Sequence, residues 1–346
     1  MMSTQERIDL FEQVFSPKKG EKILILTDEP HDTISDNTTW VERRKMANDW
    51  YLTFKEMSKN KGFSVEASSF PATGMNNTPI PDKTKKLVRT YNLVIAMTEF
   101  SSTSSLAPIR LDKNLNFRCA SMPGVQRRME ETSLRADYSK VQQYSLAIEQ
   151  ILKTVVAAEI DFSNGDHLFL YLRNRSPLSD LGDCSKSGQT INLPSGETCI
   201  VPYEAVDDEK KVYGESKSRG ILPVKYPDDL VQYHIEKNKI CNIAGKSDSA
   251  EKMRNFFEEK ECRRNIAELG IGCNPNAVVT GNVLEDEKVP GLHIAYGMSS
   301  HIGGKVSCDV HQDICYPKKS PVQAVSLVLI HNDDHKTELI NEQGLR

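Results

Sequence analysis

Apolar runs alternate with helical spacings of apolar residues along the first part of the chain. Residues 22–27 (KILILT) form a continuous apolar run of the kind found in a buried parallel strand. Similar short runs lie at 63–68, 92–97 and 117–121, and apolar residues at helical spacing predict a helix over 40–60. Strands separated by helices indicate right-handed βαβ units. This pattern predicts a Rossmann-like α/β domain.

The rest of the chain has a different pattern. Residues 126–158 are predicted to be mostly helical, and we place a domain junction near residue 145 within them. A charged helix is predicted over 251–264. Strand-like segments follow the junction at 167–172, 199–202, 230–235, 292–296 and 322–330. The predicted fold class is therefore α/β, with a Rossmann-like α/β domain over 1–145 and an α+β metal-binding catalytic domain over 146–346.

Several classes of function are disfavoured by the sequence. The segment after the first strand, TDEPHDT, has neither a G-x-G-x-x-G motif nor a P-loop, so the phosphate-binding glycines are missing. The formal charge of −4 over 346 residues gives no basic excess for nucleic acid. There is no apolar run of the ~18 residues that a membrane helix needs. The first 15 residues indicate an amphipathic helix rather than a signal peptide, so we expect a cytoplasmic protein.

The eight cysteines are dispersed and form no C-x-x-C pair. This spacing argues against a zinc ribbon and against a dense disulfide framework, so free thiols are expected. Cys199, Cys308 and Cys315 lie close in sequence to the candidate metal ligands described next and could line the same site.

Six possible metal ligands are concentrated in the last part of the chain, each in a short segment interrupted by glycine or proline. Four carboxylates brought together would raise one another's pKa, and burying them unpaired costs several kcal/mol each, roughly. Two divalent cations would cancel the four charges, with two neutral imidazoles as further donors. The candidate ligands are Glu197, Glu268, Glu287, His293, His311 and Asp313.

The local sequence supports each candidate to a different degree. If the segment VSCDVHQDICY is a strand, its period of two places His311 and Asp313 on one face. The same polar positions would suit an exposed edge strand. His293 shares a strand face with a small neighbour, Ala295, although a lone strand histidine is commonly structural. Glu268 lies among apolar residues and would need a strong partner there, unless it is an exposed residue at a helix end.

Four segments occur in the order found in the M29 metallopeptidases, the aminopeptidase T and aminopeptidase S family, which the chain resembles over essentially its whole length. The segments are NLPSGE, IAELGIGCNPNA, LEDEKVPGLHIAYG and the H-x-D pair. The resemblance implies that the six candidate residues bind two divalent metal ions, with zinc or cobalt favoured over manganese, magnesium or iron. It also implies a leucyl-aminopeptidase-like activity on peptides and a homodimer.

The chain departs from the family pattern at two points. Members have a catalytic tyrosine a few residues beyond the motif histidine, where this chain has Ser300 and His301. Tyr296 is nearby, but a regular strand would point it to the opposite face. His301 is therefore the candidate for the transition-state hydrogen bond. The spacing from Glu287 to His293 is also looser than in typical members.

The resulting hypothesis is a cytosolic aminopeptidase in which two metals activate a water molecule and Glu268 bridges the metals or takes the proton. An alternative is a ring-cleaving dioxygenase similar to the 2,5-dihydroxypyridine dioxygenases, with one non-haem iron on two histidines and one carboxylate. That class would need a histidine in place of Glu268 and would not need Glu197. A repurposed metal-binding homologue is a third possibility. No nucleic-acid or membrane partner is expected.

Overall fold

A computed structural model describes all residues from 1 to 346. The eight α-helices are α1 Thr4–Val14, α2 Thr38–Lys61, α3 Asp82–Val88, α4 Thr103–Leu106, α5 Tyr138–Leu152, α6 Asp207–Tyr213, α7 Asp248–Glu259 and α8 Val283–Asp286. The strands are β1 Lys22–Glu29, β2 Ser64–Pro71, β3 Leu93–Met97, β4 Arg118–Ser121, β5 Val155–Phe162, β6 His167–Tyr171, β7 Leu178–Asp180, β8 Thr190–Asn192, β9 Glu197–Ile200, β10 Arg219–Lys225, β11 Leu230–Glu236, β12 Lys239–Ala244, β13 Ile266–Gly272, β14 Gly291–Gly297, β15 His311–Cys315, β16 Ala324–His331, β17 Lys336–Asn341 and β18 Gly344–Leu345. None of the helices combines the length and the hydrophobicity needed to cross a membrane.

The chain divides into two compact units, and each unit is built from more than one segment of the sequence. The first comprises 1–143, 180–196 and 274–285. The second comprises 144–179, 197–273 and 286–346. Helices and strands of both units together confirm the predicted α/β class.

The first unit contains a parallel five-stranded sheet in the order β2-β1-β3-β4-β8. Successive residues of β1 enter different apolar clusters, since Ile23 and Ile25 belong to one cluster and Leu24 and Leu26 to another. Because side chains alternate across a strand, β1 is buried on both faces. This explains why its sequence is a continuous apolar run.

The helix predicted over 40–60 is α2. It begins after Asn37, whose side chain accepts a hydrogen bond from the Trp40 amide. It ends at Gly62, which adopts the left-handed conformation with φ 73°. Trp50 and Phe54 on its buried face pack with Phe11 of α1, whose ring stacks on Phe54. These contacts hold the two helices together over the sheet.

The prediction of a mostly helical stretch over 126–158 is wrong at its C-terminal end. Helix α5 ends at Leu152, and 155–162 form strand β5. β5 is hydrogen-bonded to β6 on one side and to β16 on the other. Val155 and Val156 favour a strand, and pairing on both edges outweighs the helical tendency of the alanines that follow.

The second unit contains two sheets with antiparallel pairing. An eight-stranded sheet has the order β12-β11-β10-β6-β5-β16-β17-β18, and a five-stranded sheet has the order β15-β14-β13-β9-β7. Side chains of both sheets, including Ile160, Leu168, Leu269 and Ile294, form one apolar core. All seven residues of β13 are buried, so this strand forms the centre of the smaller sheet.

Two cysteines of the second unit form a disulfide, contrary to the expectation of free thiols throughout. Cys262 is bonded to Cys308, 46 residues further along the chain. The two residues lie in segments distant in sequence, so no local sequence motif indicated that they form a disulfide. Cys308 is therefore excluded as a metal ligand.

Candidate metal centre

Four adjacent strands of the smaller sheet carry five of the six candidate ligands. The order β15-β14-β13-β9 brings together side chains separated by more than 110 positions in the sequence. The register places Glu197 opposite Gly272 and His293 opposite Gly270. Asp313 pairs with Ala295 on the next strand. The sheet thus converts short, separate motifs into one polar surface.

Glu268 lies between the two histidines. Its Oε1 atom is 3.2 Å from His293 Nε2, and its Oε2 atom is 3.2 Å from His311 Nε2. His293 Nε2 is also 3.4 Å from Glu197 Oε2, and His311 Nε2 is 3.6 Å from Asp313 Oδ1. Two triads of potential donors result, and Glu268 belongs to both: Glu197, Glu268 and His293 form one, and Glu268, His311 and Asp313 form the other.

The acidic and basic side chains of this cluster shift one another's pKa values. Burial alone would raise the pKa of Glu268, but hydrogen bonds from His293 and His311 lower it well below its usual range. Burial would lower the pKa of His293, but Glu268 and the nearby carboxylates raise it to about 9. The pKa of Asp313 is lowered despite its burial, chiefly because His311 is adjacent. Without a metal, the imidazoles are the cations that balance these carboxylates.

The triad around Asp313 has the features of a cation site. The Nδ1–H group of His311 donates to the carbonyl oxygen of Met298 at 2.6 Å, so the Nε2 atom faces the cluster and is the one that could bind a metal ion. Asp313 Oδ1 is buried and has no hydrogen-bond partner. A buried carboxylate oxygen without a donor is costly, and a divalent cation would satisfy it. The residues present therefore fit a metal ion.

Glu287 lies beside the two triads and belongs to neither. Its Oε1 atom is 2.8 Å from the ammonium of its neighbour Lys288, which is also 2.5 Å from Glu197 Oε1. Burial raises the pKa of Glu287 to about 8, against the opposing effect of Lys288. The Lys288 side chain is fully buried. Sequence reasoning missed this lysine, because a charged residue in the run LEDEK resembles a solvated turn.

Two glycines of β13 make room for the cluster. A Cβ atom on Gly270 would lie 1.9 Å from His293 Nε2, so the imidazole occupies the space above this residue. A Cβ atom on Gly272 would lie 2.5 Å from the carbonyl oxygen of Glu287 and 2.3 Å from that of Val289. Glycine inside a strand marks such close approaches and was the available sequence signal for these two residues.

Tyr296 and His301, the two residues that could take the role of the family's catalytic tyrosine, lie in different environments. Tyr296 packs in the apolar core, with its ring 5.1 Å from that of Phe257, and does not face the cluster. His301 lies in a 3₁₀ helix, Ser300–Ile302, with its ring edge-on to that of His311 at 4.6 Å between centroids. The surrounding protein and the charge of His311 lower the pKa of His301 to about 4.

A buried carboxylate anchors the loop that carries His301. Glu204 accepts hydrogen bonds from the Ser299 hydroxyl, from the Lys305 amide at 2.8 Å and from the Asn265 side chain at 3.0 Å. Arg175 pairs with the same carboxylate at 3.2 Å. Both ends of the segment 299–305 are thereby fixed. Nothing in the sequence near Glu204 indicated this role.

Cys199 and Cys315 also lie in the strands of the site, where Cys199 pairs with Gly270 and Cys315 pairs with His293. Cys199 is buried, and its pKa is raised by burial and by the charge of Glu268. The pKa of Cys315 is raised in the same way, by burial and by Asp313. A raised thiol pKa disfavours the thiolate that binds metals. Neither cysteine belongs to a donor triad.

Comparison with known proteins identifies the fold. No protein-family profile and no curated protein matches the sequence. Among solved structures, 2,5-dihydroxypyridine dioxygenase from Pseudomonas putida KT2440 is similar, with a TM-score of 0.73 at 16% identity over 100% of this chain and 98% of that one. AmpT from Thermus thermophilus is similar with a TM-score of 0.64 at 14% identity, over 99% and 98% of the two chains. The chain has an M29-like fold.

Of the two similar structures, one is a dioxygenase and AmpT is an M29 aminopeptidase, so this fold is found with two different chemistries. At 14–16% identity the similarity establishes the fold alone. The reaction therefore has to be argued from the side chains of the cluster.

Proposed function

We propose that this protein is a metal-dependent aminopeptidase, which hydrolyses the first amide bond of a peptide with a free amino terminus. The metal would be held by Glu268, His311 and Asp313, with Glu197 and His293 on the other side of Glu268. Zinc, cobalt and manganese suit this mixture of imidazole and carboxylate donors.

The observation that carries the proposal is the sharing of Glu268 between two triads that contain one histidine each. An iron dioxygenase of the two-histidine, one-carboxylate type needs both imidazoles on one ion. Here His293 belongs to one triad and His311 to the other, with the Glu268 carboxylate between them. A carboxylate in that central position supports the activation of water in hydrolysis rather than the binding of oxygen.

A divalent cation in the site would lower the pKa of a water molecule and polarise the scissile carbonyl. Glu268 is placed to accept the proton of the attacking water and to pass it to the leaving amine nitrogen as the carbon–nitrogen bond breaks. His301, at the edge of His311, is placed to donate a hydrogen bond to the oxygen that becomes negative. The fixed segment 299–305 would keep this imidazole in position.

The charge of the cluster suits a substrate with a free amine. The carboxylates of the cluster would accept hydrogen bonds from a substrate ammonium group, and they would repel a substrate carboxylate group. This electrostatic preference distinguishes an aminopeptidase from a carboxypeptidase. It also predicts that acylation of the substrate amine abolishes recognition.

The test is hydrolysis of a series of aminoacyl p-nitroanilides, with their N-acetylated forms as matched controls. We expect activity on the free amines alone, loss of activity after chelation, and recovery with Zn²⁺, Co²⁺ or Mn²⁺. Absence of hydrolysis with every divalent metal would contradict the proposal. Oxygen consumption with a dihydroxypyridine after anaerobic loading with Fe²⁺ would support the dioxygenase instead.

A further inference from the structure

We propose that the ammonium of Lys288 takes the place of one of the two cations, so that the centre binds a single metal ion between Glu268, His311 and Asp313. The inference rests on the metal centre of the proposed function and is independent of whether the reaction is peptide hydrolysis. It concerns the number of metal ions in the centre. The sequence alone predicts two ions for the six candidate ligands.

The position of the Lys288 nitrogen is the first argument. The side chain is fully buried, and its Nζ atom lies 2.5 Å from Glu197 Oε1 and 2.8 Å from Glu287 Oε1. These distances are those of charge-assisted hydrogen bonds. The ammonium thus bridges two of the four predicted carboxylate ligands, as a metal ion would.

Because Lys288 occupies these carboxylate oxygens, fewer atoms near Glu197 and Glu287 remain to bind a metal ion. Glu287 directs an oxygen to Lys288 and belongs to neither triad. Glu197 retains its Oε2 atom, which is 3.4 Å from His293 Nε2. A divalent ion in the triad of Glu197, Glu268 and His293 would therefore lie close to a buried positive charge. That repulsion weakens binding in a site of low dielectric constant.

The opposite side of the centre has no lysine or arginine among its contacts, and its only basic group is the imidazole of His311, itself a candidate ligand. Asp313 Oδ1 is buried without a hydrogen-bond donor. His311 is oriented by the Met298 carbonyl so that its Nε2 atom faces Glu268 and Asp313. This triad has no positive group apart from the imidazole that would itself bind the metal, whereas the triad with Glu197 has the ammonium of Lys288 beside it. The two triads therefore differ in their affinity for a metal ion, and the centre binds one ion, in the triad that contains Asp313.

The experiment counts ions in the purified full-length protein. Metal-free protein is titrated with Zn²⁺ by calorimetry, and bound zinc is measured by elemental analysis after gel filtration. Mn²⁺-loaded protein is examined by electron paramagnetic resonance, which distinguishes an isolated ion from a spin-coupled pair. We expect one Zn²⁺ per chain and the spectrum of an isolated Mn²⁺ ion.

Variants at Lys288 test whether its positive charge limits the centre to one metal ion. Lys288→Glu adds a carboxylate where the ammonium was, and we expect two Zn²⁺ per chain and a coupled Mn²⁺ spectrum. Lys225→Glu, at an exposed position on β10, changes the net charge equally and should leave one ion. If Lys288→Glu does not fold, Lys288→Met removes only the charge and should strengthen a second binding event at least tenfold.

The outcomes separate the two proposals. Two tightly bound ions and a coupled spectrum in the wild-type protein would overturn the role of Lys288. Failure of the Lys288 variants to bind a second ion would also overturn it. One ion per chain without hydrolysis of aminoacyl anilides would support the single-ion centre and contradict the aminopeptidase. Absence of any bound ion would overturn both.

Discussion

The imidazole of His293 lies directly over the backbone of Gly270, its partner across the β13–β14 pair. A single added methyl group at Gly270 would overlap the ring. The position of one candidate ligand therefore depends on the absence of a side chain on the neighbouring strand.

Gly270→Ala should displace His293 and weaken its contact with Glu268. Overpacking a well-filled site costs about 1–3 kcal/mol, and we expect a loss of unfolding free energy in that range. Metal affinity should fall as well, because Glu268 belongs to both triads. The matched test is a double-mutant cycle with His293→Ala. Once the ring is removed, Gly270→Ala should have little further effect, and additive losses would show that the overlap is not the cause.

Asp313→Ala should remove most of the stabilisation that a metal ion gives. A ligand at 100 times its dissociation constant stabilises the native state by about 2.7 kcal/mol, so Zn²⁺ should raise the melting temperature of the wild-type protein. The variant should show little or no rise. Glu287→Gln is the control, because Glu287 lies outside both triads and should leave the rise largely intact. Equal loss in both variants would contradict the assignment of the ion to Asp313.

Breaking the Glu21–Arg118 pair should destabilise the first unit. Both side chains are buried, with 8% and 1% exposed, and Arg118 also donates to the Phe15 carbonyl. Removing one partner of a buried pair costs about 3–5 kcal/mol, so Glu21→Gln should lower the unfolding free energy by that amount at neutral pH. Glu42→Gln, which breaks the exposed pair with Lys45, should change it by less than about 1 kcal/mol.

The effect of Glu21→Gln should depend on pH in a definite direction. Burial alone would raise the pKa of Glu21, but the hydrogen bonds from Arg118 lower it below its ordinary value of 4.5. The carboxylate therefore stabilises the folded state above about pH 4.5, and this stabilisation is lost as the pH falls through the folded-state pKa. The difference between wild type and variant should shrink on acidification. A difference that is constant down to pH 3 would contradict the role of the charge.

Removing the disulfide should destabilise the second unit without altering the ligands themselves. The bond joins residues 46 positions apart, and a closed loop of this size contributes about 4 kcal/mol in the chain-entropy treatment. The double variant Cys262→Ser/Cys308→Ser should therefore unfold at lower denaturant concentration than the wild type. Cys241→Ser, at an exposed free thiol, is the control. A wild-type protein that reacts with eight thiol-reagent equivalents after unfolding without reductant would show that the bond does not form.

The features that sequence predicted well are those with a local physical signature. The run KILILT identified a strand buried on both faces, and apolar residues at helical spacing over 40–60 identified α2. The M29-like fold was inferred from four ordered motifs and is confirmed by the structural comparison. All six candidate ligands came from those motifs, and five of them lie on adjacent strands.

The features that sequence did not predict depend on contacts between distant segments. Strand β5 follows α5 after two residues, and it is specified by its pairing with β16, about 170 positions later. Lys288 resembled a solvated residue in LEDEK until the sheet placed it against Glu197. Glu204 and the Cys262–Cys308 bond have no local motif. Contacts of this kind become apparent only in the folded structure and cannot be predicted from the spacing of residues along the chain.

The most direct test of the account is anomalous diffraction from crystals of the protein grown with Mn²⁺, with data collected on both sides of the manganese edge. We predict one strong difference peak, bounded by carboxylate oxygens of Glu268 and Asp313 and by Nε2 of His311. The Lys288 nitrogen should remain on Glu197. A map without a peak among these three side chains, at saturating Mn²⁺, would contradict the claim that this cluster is a metal centre.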